Sequence, residues 1–251
     1  VNTLEALSVD CIGMNCATGP LEMSEILREL CGMTSKIVSA LPNAGLPENI
    51  GGVAHYGLKP KEFGEYHERF VKEFGVSIVG GCCGTTPEHL KAVAERVKGL
   101  KPARRTLRRE PGCASLFSAV SYEQKPAPLL VGERTNANGS KKFKELLQRD
   151  DFDGMIPMGR EAVKEGAHVI DVSVAFVGRD EKKDMAEVIS RFNQQVPLPV
   201  MIDSTEWQVT EEALKRTGGK PIINSVNLED GGARMKKICG LAKKYGAALV
   251  A

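Results

Sequence analysis

The sequence predicts an α/β protein built from two successive series of parallel βα units. Short apolar runs, typical of buried strands, alternate with amphipathic helical stretches along most of the 251 residues. The loops between them are short, which favours parallel strands joined by helical crossovers. A basic segment that contains several prolines interrupts the alternation once, between residues 101 and 127, and separates the two series.

The first series contains three βα units within residues 6–99. Its strands are expected at 7–16, 36–45 and 76–81, and its helices at 19–30, 59–75 and 86–99. Apolar side chains recur at helical spacing in the first two helices, which predicts one buried face on each. The residues of these faces are Leu21, Ile26, Leu27 and Leu30 in the first helix and Phe63, Tyr66, Phe70 and Phe74 in the second.

A connector precedes the second series. Residues 101–112 carry five basic side chains and two prolines and offer little to build a core, whereas 116–120 is expected to be partly structured. The strands of the second series are expected at 128–136, 168–175, 199–205, 220–227 and 247–251. Its helices are expected at 140–165, 180–195, 206–219 and 230–246.

Neither series reaches the eight units of a complete (β/α)8 barrel. We therefore expect the C-terminal part of one such barrel at 1–100, a linker at 101–127 and the N-terminal part of a second barrel at 128–251. The chain begins at Val1 rather than Met and ends on an apolar run. These two features indicate an internal piece of a longer protein.

Composition and charge narrow the class of protein. A net charge of +2 gives no reason to expect a nucleic-acid partner. The sequence has no apolar run long enough to span a bilayer, and its N-terminus does not have the pattern of a signal peptide, so a cytoplasmic location without a membrane partner is expected. In that reducing compartment, seven cysteines suggest metal or redox chemistry more than disulfides.

The stretch GGCCGTTPEHL (80–90) places Cys82 and Cys83 between glycines at the end of a predicted strand, and Cys16 ends another strand. Because parallel strands of a barrel end on one face, these three thiols could converge there. Three thiolates suit Zn²⁺ and leave a fourth position open for substrate. The alternative is that they are small buried apolar residues, but the glycines and the shared strand-end placement favour a metal site.

Several residues near the three cysteines also have predicted roles. Asn43 also follows a strand of the first series, and the helix after the cysteine pair favours thiolate charge at its N-terminus. Thr85 and Glu88 fit a capping box for that helix. Two further groups of residues are not expected to be metal ligands. We expect the core to contain Cys11, Cys31 and Cys239, and we expect surface or helix-face positions for His55, His67 and His89.

Polar residues also follow the strands of the second series. They are Glu133, Arg134, Asn136, Asp171, Asp203 and Asn224. Carboxylates and amides at a barrel mouth suit a ligand rich in N–H donors, such as the edge of a pterin, because a carboxylate accepts two N–H bonds in parallel. Each could instead be a helix N-cap, as Asp203 could be for the helix that follows it. Their recurrence in consecutive units favours a binding site.

The cysteine stretch, together with NCATGP (15–20) and PNAGLP (42–47), resembles the zinc-dependent homocysteine S-methyltransferases over roughly residues 1–100. This resemblance implies that Cys16, Cys82 and Cys83 bind zinc and act in catalysis through it. It further implies that the homocysteine sulfur takes the fourth position and that Asn43 lies near the metal.

GERTNANGSKKF, DVSVA, MIDST and INSVN resemble the pterin-binding domain of corrinoid methyltransferases and dihydropteroate synthases over about 128–251. The resemblance implies that Glu133, Asn136, Asp203 and Asn224 contact methyltetrahydrofolate and that Asp171 lines the site. DVSVA departs from the more usual Asp-Val-Asn pattern at Ser173.

The order of the two regions resembles the cobalamin-dependent methyltransferases that form methionine from homocysteine. It implies 5-methyltetrahydrofolate as methyl donor and methylcobalamin bound by a domain outside this chain, which by itself is then expected to be inactive. Two alternatives remain open. One is a zinc-dependent thiol methyltransferase with another methyl donor, and the other is a non-catalytic module that binds zinc or a pterin.

Overall fold

The structure is a computed structural model and describes residues 1–229 and 231–251. It divides the chain into two compact units. The first unit consists of Val1 and Val9–Arg109, and the second of Asn2–Ser8 and Glu110–Ala251. The expected linker is therefore shared, because residues 101–109 lie in the first unit and residues 110–127 in the second.

The chain consists of helices and short strands, in agreement with the predicted α/β class. Up to residue 109 the elements are α1 (Asn2–Glu5), β1 (Cys11–Asn15), α2 (Pro20–Met33), β2 (Ile37–Leu41), β3 (Pro47–Ile50), β4 (Val53–Tyr56), α3 (Pro60–Arg69), which continues as a π-helical turn (Phe70–Phe74), β5 (Ile78–Val79) and α4 (Pro87–Val97). From residue 110 they are β6 (Gly112–Ala114), β7 (Ala119–Ser121), β8 (Val131–Gly132), α5 (Lys141–Gln148), α6 (Phe152–Lys164), β9 (Val169–Val172), α7 (Glu181–Gln195), β10 (Val200–Asp203), α8 (Trp207–Arg216), β11 (Ile222–Asn224), α9 (Ala233–Tyr245) and β12 (Ala248–Leu249).

The first unit is built on a three-stranded parallel sheet in the order β1-β2-β5. Asn15 pairs with Leu41, and Ala40 pairs with Val79, so the three strands end at the same edge. The loops that leave this edge carry Cys16, Asn43 and the Cys82–Cys83 pair. The expected convergence of strand ends is thus present in the parallel sheet.

The apolar face of α2 differs from the predicted one. Met23, Leu27, Leu30 and Cys31 are buried, whereas Leu21 and Ile26 are 60% and 55% exposed. The buried residues follow the i, i+4, i+7, i+8 spacing of one helical stripe, and Leu21 and Ile26 lie outside it. The predicted face of the next helix is confirmed, since Phe63, Phe70 and Phe74 are buried and Tyr66 packs against the core.

Two antiparallel hairpins, β3–β4 and β6–β7, were not predicted. The β3–β4 turn uses Gly51 and Gly52 at φ 61° and 86°, but its strands lack the alternation of apolar and polar residues that identifies a strand. The predicted helix 140–165 is two helices, because Asp150 has a positive φ and the Asp151 carboxylate caps α6 by accepting from the Gly154 amide.

The second unit has a five-stranded parallel sheet in the order β12-β11-β10-β9-β8, in which each strand pairs with its neighbour in sequence. Its core lies between this sheet and α5 to α9. The last helix begins at Ala233, and its predicted start at Asp230 lies outside the described residues. Within the described ranges, no helix is both long and apolar enough to cross a membrane.

Candidate functional site

The thiol cluster consists of Cys16, Cys82 and Cys83, whose sulfur atoms all lie within 4.8 Å of one another. The Cys83 sulfur is 3.6 Å from that of Cys16 and 3.8 Å from that of Cys82. Cys83 is exposed and the other two are half-buried, and all three are free thiols. The structure therefore brings together the three cysteines that the sequence singled out, at a position open to solvent.

Backbone hydrogen bonds tie the three thiol-bearing loops together. The bonds are Cys16 N to Leu41 O at 2.9 Å, Cys82 N to Pro42 O at 2.8 Å and Ala44 N to Cys83 O at 2.9 Å. In addition, Cys16 and Ala17 both have φ near 65°, a conformation that costs an L residue about 1–3 kcal/mol. The surrounding hydrogen bonds hold this strained turn, which directs the Cys16 side chain toward the other two.

Asn43 and Tyr56 are the polar neighbours of the thiols. Asn43 is only 3% exposed, and its Oδ1 accepts from the Cys83 amide at 3.1 Å. Its side chain also hydrogen-bonds to Cys16. Tyr56, at the end of β4, hydrogen-bonds to Cys83 and packs on Gly84, where an added Cβ would lie 2.3 Å from the ring.

The thiols do not ionise alike. The pKa of Cys16 is lowered, first by the Ala17 amide and then by hydrogen bonds from Cys83 and Cys82. The pKa of Cys82 is raised, chiefly by its hydrogen bond to Cys16 and then by burial. Burial and the hydrogen bond to Cys83 raise the pKa of the Tyr56 hydroxyl. Of Cys16 and Cys82, Cys16 therefore has the lower pKa.

The donor set fits a zinc ion. Zn–S bonds of about 2.3 Å in a tetrahedral arrangement place their sulfurs about 3.8 Å apart, close to the 3.6 and 3.8 Å found here. Three soft thiol donors with one open side are typical of zinc sites that accept a further ligand. Cys16, Cys82 and Cys83 are therefore the residues that could hold the metal.

His67 and His89 lie on helices α3 and α4, as the helix-face expectation allowed, but both are buried rather than at the surface. His67 lies behind the cysteine loop, with Nε2 2.8 Å from the Gly80 carbonyl. His89 Nδ1 accepts from the Thr86 amide, so Nε2 donates to the Leu58 carbonyl at 2.8 Å. The capping box of α4 is thus Thr86–His89 rather than Thr85–Glu88. Cys239, predicted to be in the core, is exposed, whereas Cys31 is buried.

A second polar cluster lies at the strand ends of the second unit. This carboxylate–amide cluster consists of Asn136, Asp171, Asp203 and Asn224. Asn136 Nδ2 donates to Asp171 Oδ2 at 2.7 Å and to Asp203 Oδ2 at 3.0 Å. Asn224 Nδ2 lies 3.4 Å from Asp171 Oδ1. One amide therefore bridges carboxylates from two neighbouring strands.

Of the other two predicted residues, Glu133 is exposed, and its charge raises the pKa of both Asp171 and Asp203. Arg134 instead pairs with Glu165 at 2.9 Å. The structure thus associates Glu133 with the carboxylate–amide cluster by charge alone and places Arg134 in a separate ion pair.

Burial is the largest cause of the raised pKa of Asp171 and of Asp203. Asp171 is only 3% exposed. Neither carboxylate is a helix cap: the N-cap of α8 is Glu206, which has no side-chain cap bond, and Asp203 faces Asn136 instead. A buried and a half-buried carboxylate placed side by side would be stabilised by a ligand that donates N–H groups.

The comparisons with known proteins match the two parts of the chain to two different families. Residues 1–97 match the family model of homocysteine S-methyltransferase, and residues 132–251 match that of pterin binding enzymes. The chain is 44% identical to the methionine synthase of Mycobacterium tuberculosis over its whole length. It is also 44% identical to the methionine synthase of Mycobacterium leprae, over 99% of its length. The chain is a relative of the methionine synthases. Its two segments are similar to homocysteine S-methyltransferases and to pterin binding enzymes, in that order.

The chain spans 21% of the length of each of these two methionine synthases. Among solved structures, a dihydropteroate synthase from Clostridium difficile, determined in the presence of pteroic acid, matches 48% of the chain and 46% of its own length. Its sequence identity is 24% and its TM-score is 0.36, which is too low to support an argument about the fold.

Several residues beside the two clusters were missed by reading the sequence. In the first unit, Tyr56 belongs to the hairpin that was not predicted. In the second unit, buried Thr135 donates from Oγ1 to the Asp171 carbonyl at 2.5 Å, and Ser173, noted in the sequence only as a departure from the usual pattern, hydrogen-bonds to Asp203. Thr135 and Ser173 adjoin strand-end motifs, which could have indicated them, whereas Tyr56 follows no recognisable pattern.

Proposed function

We propose that this chain takes part in methyl transfer from 5-methyltetrahydrofolate, by way of a cobalamin, to homocysteine, with methionine and tetrahydrofolate as products. The observation that carries the proposal is the thiol cluster, whose three sulfurs lie within 4.8 Å of one another at the ends of parallel strands. The relationship to methionine synthases supports it over the whole chain.

In this proposal, Cys16, Cys82 and Cys83 hold a zinc ion. Zinc, when bound, acts as a Lewis acid that keeps the homocysteine sulfur as a thiolate at neutral pH. The chain itself orients the donors: Asn43 fixes the Cys83 amide and contacts Cys16, and the strained turn at Cys16 aims that thiol inward. The exposed side of Cys83 is where substrate would approach.

The carboxylate–amide cluster is proposed to bind the pterin ring of methyltetrahydrofolate. Asp203 would accept its N–H groups and Asp171 would line the site, with Asn136 and Asn224 as further contacts that hydrogen-bond to these carboxylates. Glu133 is proposed as a further contact at the exposed rim. A ligand that donates hydrogen bonds here would offset the burial of two neighbouring carboxylates.

The two sheets are proposed to be parts of two (β/α)8 barrels, with the zinc region at 1–100, a linker at 101–127 and the pterin region at 128–251. The strand order of the second unit supports this, because consecutive strands are neighbours as they are in a barrel. The cobalamin is proposed to be held by a further domain of the full-length enzyme.

Half-reactions in a full-length enzyme that contains this chain test the proposal. Cys83→Ala should abolish methylation of homocysteine by supplied methylcobalamin. Asp203→Asn should leave that reaction intact and impair the methyl transfer from 5-methyltetrahydrofolate. If both variants impaired the same half-reaction, the assignment of one substrate to each cluster would be wrong.

A further inference from the structure

Arg234, in the first turn of α9, donates hydrogen bonds to three backbone carbonyls of two neighbouring loops. Its Nε donates to Thr205 O at 2.6 Å, and its Nη2 donates to Ser204 O at 2.8 Å. Its Nη1 donates to Ser225 O at 2.7 Å. One guanidinium thus joins the loop that follows β10 to the loop that follows β11.

These loops begin directly after two residues of the carboxylate–amide cluster. Ser204 and Thr205 follow Asp203, and Ser225 follows Asn224. The guanidinium is a rigid planar fork, so its three bonds fix the separation and tilt of the two strand ends at once. Lysine cannot reproduce this arrangement, because its single ammonium lacks the fixed fork.

We propose that Arg234 is a positioning residue for pterin binding, which sets the spacing between Asp203 and Asn224 without touching the ligand. This inference rests on the proposed pterin site. Within the cluster, Asn224 Nδ2 lies 3.4 Å from Asp171 Oδ1, a long contact that gives Asn224 little orientation of its own. The backbone clamp on the next residue, Ser225, supplies the missing constraint.

Trp207 offers a direct reporter of the clamp. It is the single tryptophan of the sequence and the first residue of α8, two positions after Thr205. Lys237, one turn after Arg234 on α9, places its Nζ 4.6 Å from the centre of the Trp207 ring. Loosening the contact between α9 and the Ser204–Thr205 loop should therefore change the environment of this ring.

The test compares Arg234→Met and Arg234→Lys with Arg160→Met in the 251-residue chain. Arg160 is a matched control, because its Nε also donates to a backbone carbonyl, that of Gln195, at 2.9 Å. Gln195 lies before β10, whereas Ser204 and Thr205 lie after it.

Without ligand, Arg234→Met should increase quenching of Trp207 by acrylamide, and Arg160→Met should not. In titrations with 5-methyltetrahydrofolate, Arg234→Met should weaken binding about tenfold or more, the loss expected for one well-aligned hydrogen bond.

The outcomes separate this inference from the proposed function. Unchanged quenching and unchanged affinity in Arg234→Met would overturn the positioning role, as would an equal loss in Arg160→Met. If the wild-type chain does not bind 5-methyltetrahydrofolate, the pterin site is wrong and the positioning role falls with it, while altered quenching still shows a backbone clamp. If Arg234→Met does not fold, Arg234→Lys decides: affinity below that of wild type supports the role, and wild-type affinity overturns it.

Discussion

At the scale of single residues, the thiol cluster depends on positions that have no reactive side chain. Gly84 has φ +75°, and an added Cβ would lie 2.3 Å from the Tyr56 ring. Gly99 has the same φ but no atom within 4 Å of the added carbon. The two glycines thus share a backbone conformation and differ in the contact of Gly84 with Tyr56 and in its position next to Cys83.

Gly84→Ala should weaken zinc binding and lower the free energy of unfolding by more than the roughly 1–3 kcal/mol expected from an unfavourable φ. Gly99→Ala should show only the conformational cost and retain zinc affinity. Urea denaturation and zinc titration with a competing chelator measure both quantities. Equal effects of the two substitutions would show that the contact with Tyr56 does not matter for the site.

Asp203→Asn tests the pterin site at one atom. The amide oxygen can still accept the hydrogen bond from Asn136, but the new NH2 group faces a ligand that itself donates N–H. Affinity for 5-methyltetrahydrofolate should fall about tenfold or more, with thermal stability unchanged or increased because a buried charge is removed. Calorimetric titration measures the affinity. Asp180→Asn is the control, because the Asp180 carboxylate only caps α7.

The raised pKa of Asp171 and Asp203 predicts a pH dependence of stability. Between the ordinary carboxyl pKa and the raised values, the folded state binds more protons than the unfolded state, so the free energy of unfolding decreases as pH rises. The decrease should begin near pH 4, level off above the raised values, and become smaller in Asp203→Asn. Urea denaturation from about pH 4 to 7 measures it; a slope that is the same in the variant would contradict the prediction.

The candidate site residues were predictable from the sequence, because thiols and polar side chains recur directly after successive predicted strands. Cys16, Cys82 and Cys83 meet because parallel strands end at one edge. The supporting residues were not predictable, because their partners are backbone carbonyls or glycines far away in the chain. Arg234 and Tyr56 belong to this group.

At the scale of elements, α4 shows how a capping motif can be displaced by one residue. Thr86 is the N-cap, and His89 takes the place that Glu or Gln has in a capping box. A sequence search for acidic residues therefore selected Thr85 and Glu88. Because this position is occupied by His89, the side chain has a second role: its Nε2 donates a hydrogen bond to the carbonyl of Leu58, which lies just after the β3–β4 hairpin.

His89→Ala should destabilise the first unit by about 1–3 kcal/mol, because it leaves the half-buried Leu58 carbonyl and the Thr86 amide without these partners. His55→Ala, at an exposed site on β4, should have little effect. Hydrogen exchange in α4 and at Leu58 distinguishes them. Equal protection in the two variants would mean that His89 does not join helix and hairpin.

At the scale of the whole molecule, the chain does not divide where its composition changes. Residues 101–109 pack on the first unit, with the Ala103 amide bonded to Val71 O and an Arg105 Nη2 to Lys36 O. Residues 112–121 form the β6–β7 hairpin of the second unit, where Cys113 is buried. Charge and proline content predicted the interruption of the βα pattern but not these contacts, which depend on folded surfaces.

The segment Asn2–Ser8 belongs to the second unit, although it precedes the first in sequence. Glu5 is buried there, and Ala6 and Leu7 lie against Gly246. Deletion of residues 1–8 should therefore lower the midpoint of unfolding reported by Trp207 and leave hydrogen exchange in α3 unchanged. A loss of protection in α3 with an unchanged Trp207 transition would contradict this assignment.

The central claim is that Cys16, Cys82 and Cys83 form one open zinc site for the homocysteine thiol. X-ray absorption at the zinc edge of the zinc-loaded chain tests it most directly. We predict three sulfur neighbours at about 2.3 Å, one additional sulfur on addition of homocysteine, and loss of sulfur neighbours in Cys83→Ala. A zinc shell of nitrogen and oxygen only, or one that is unchanged by homocysteine, would contradict the claim.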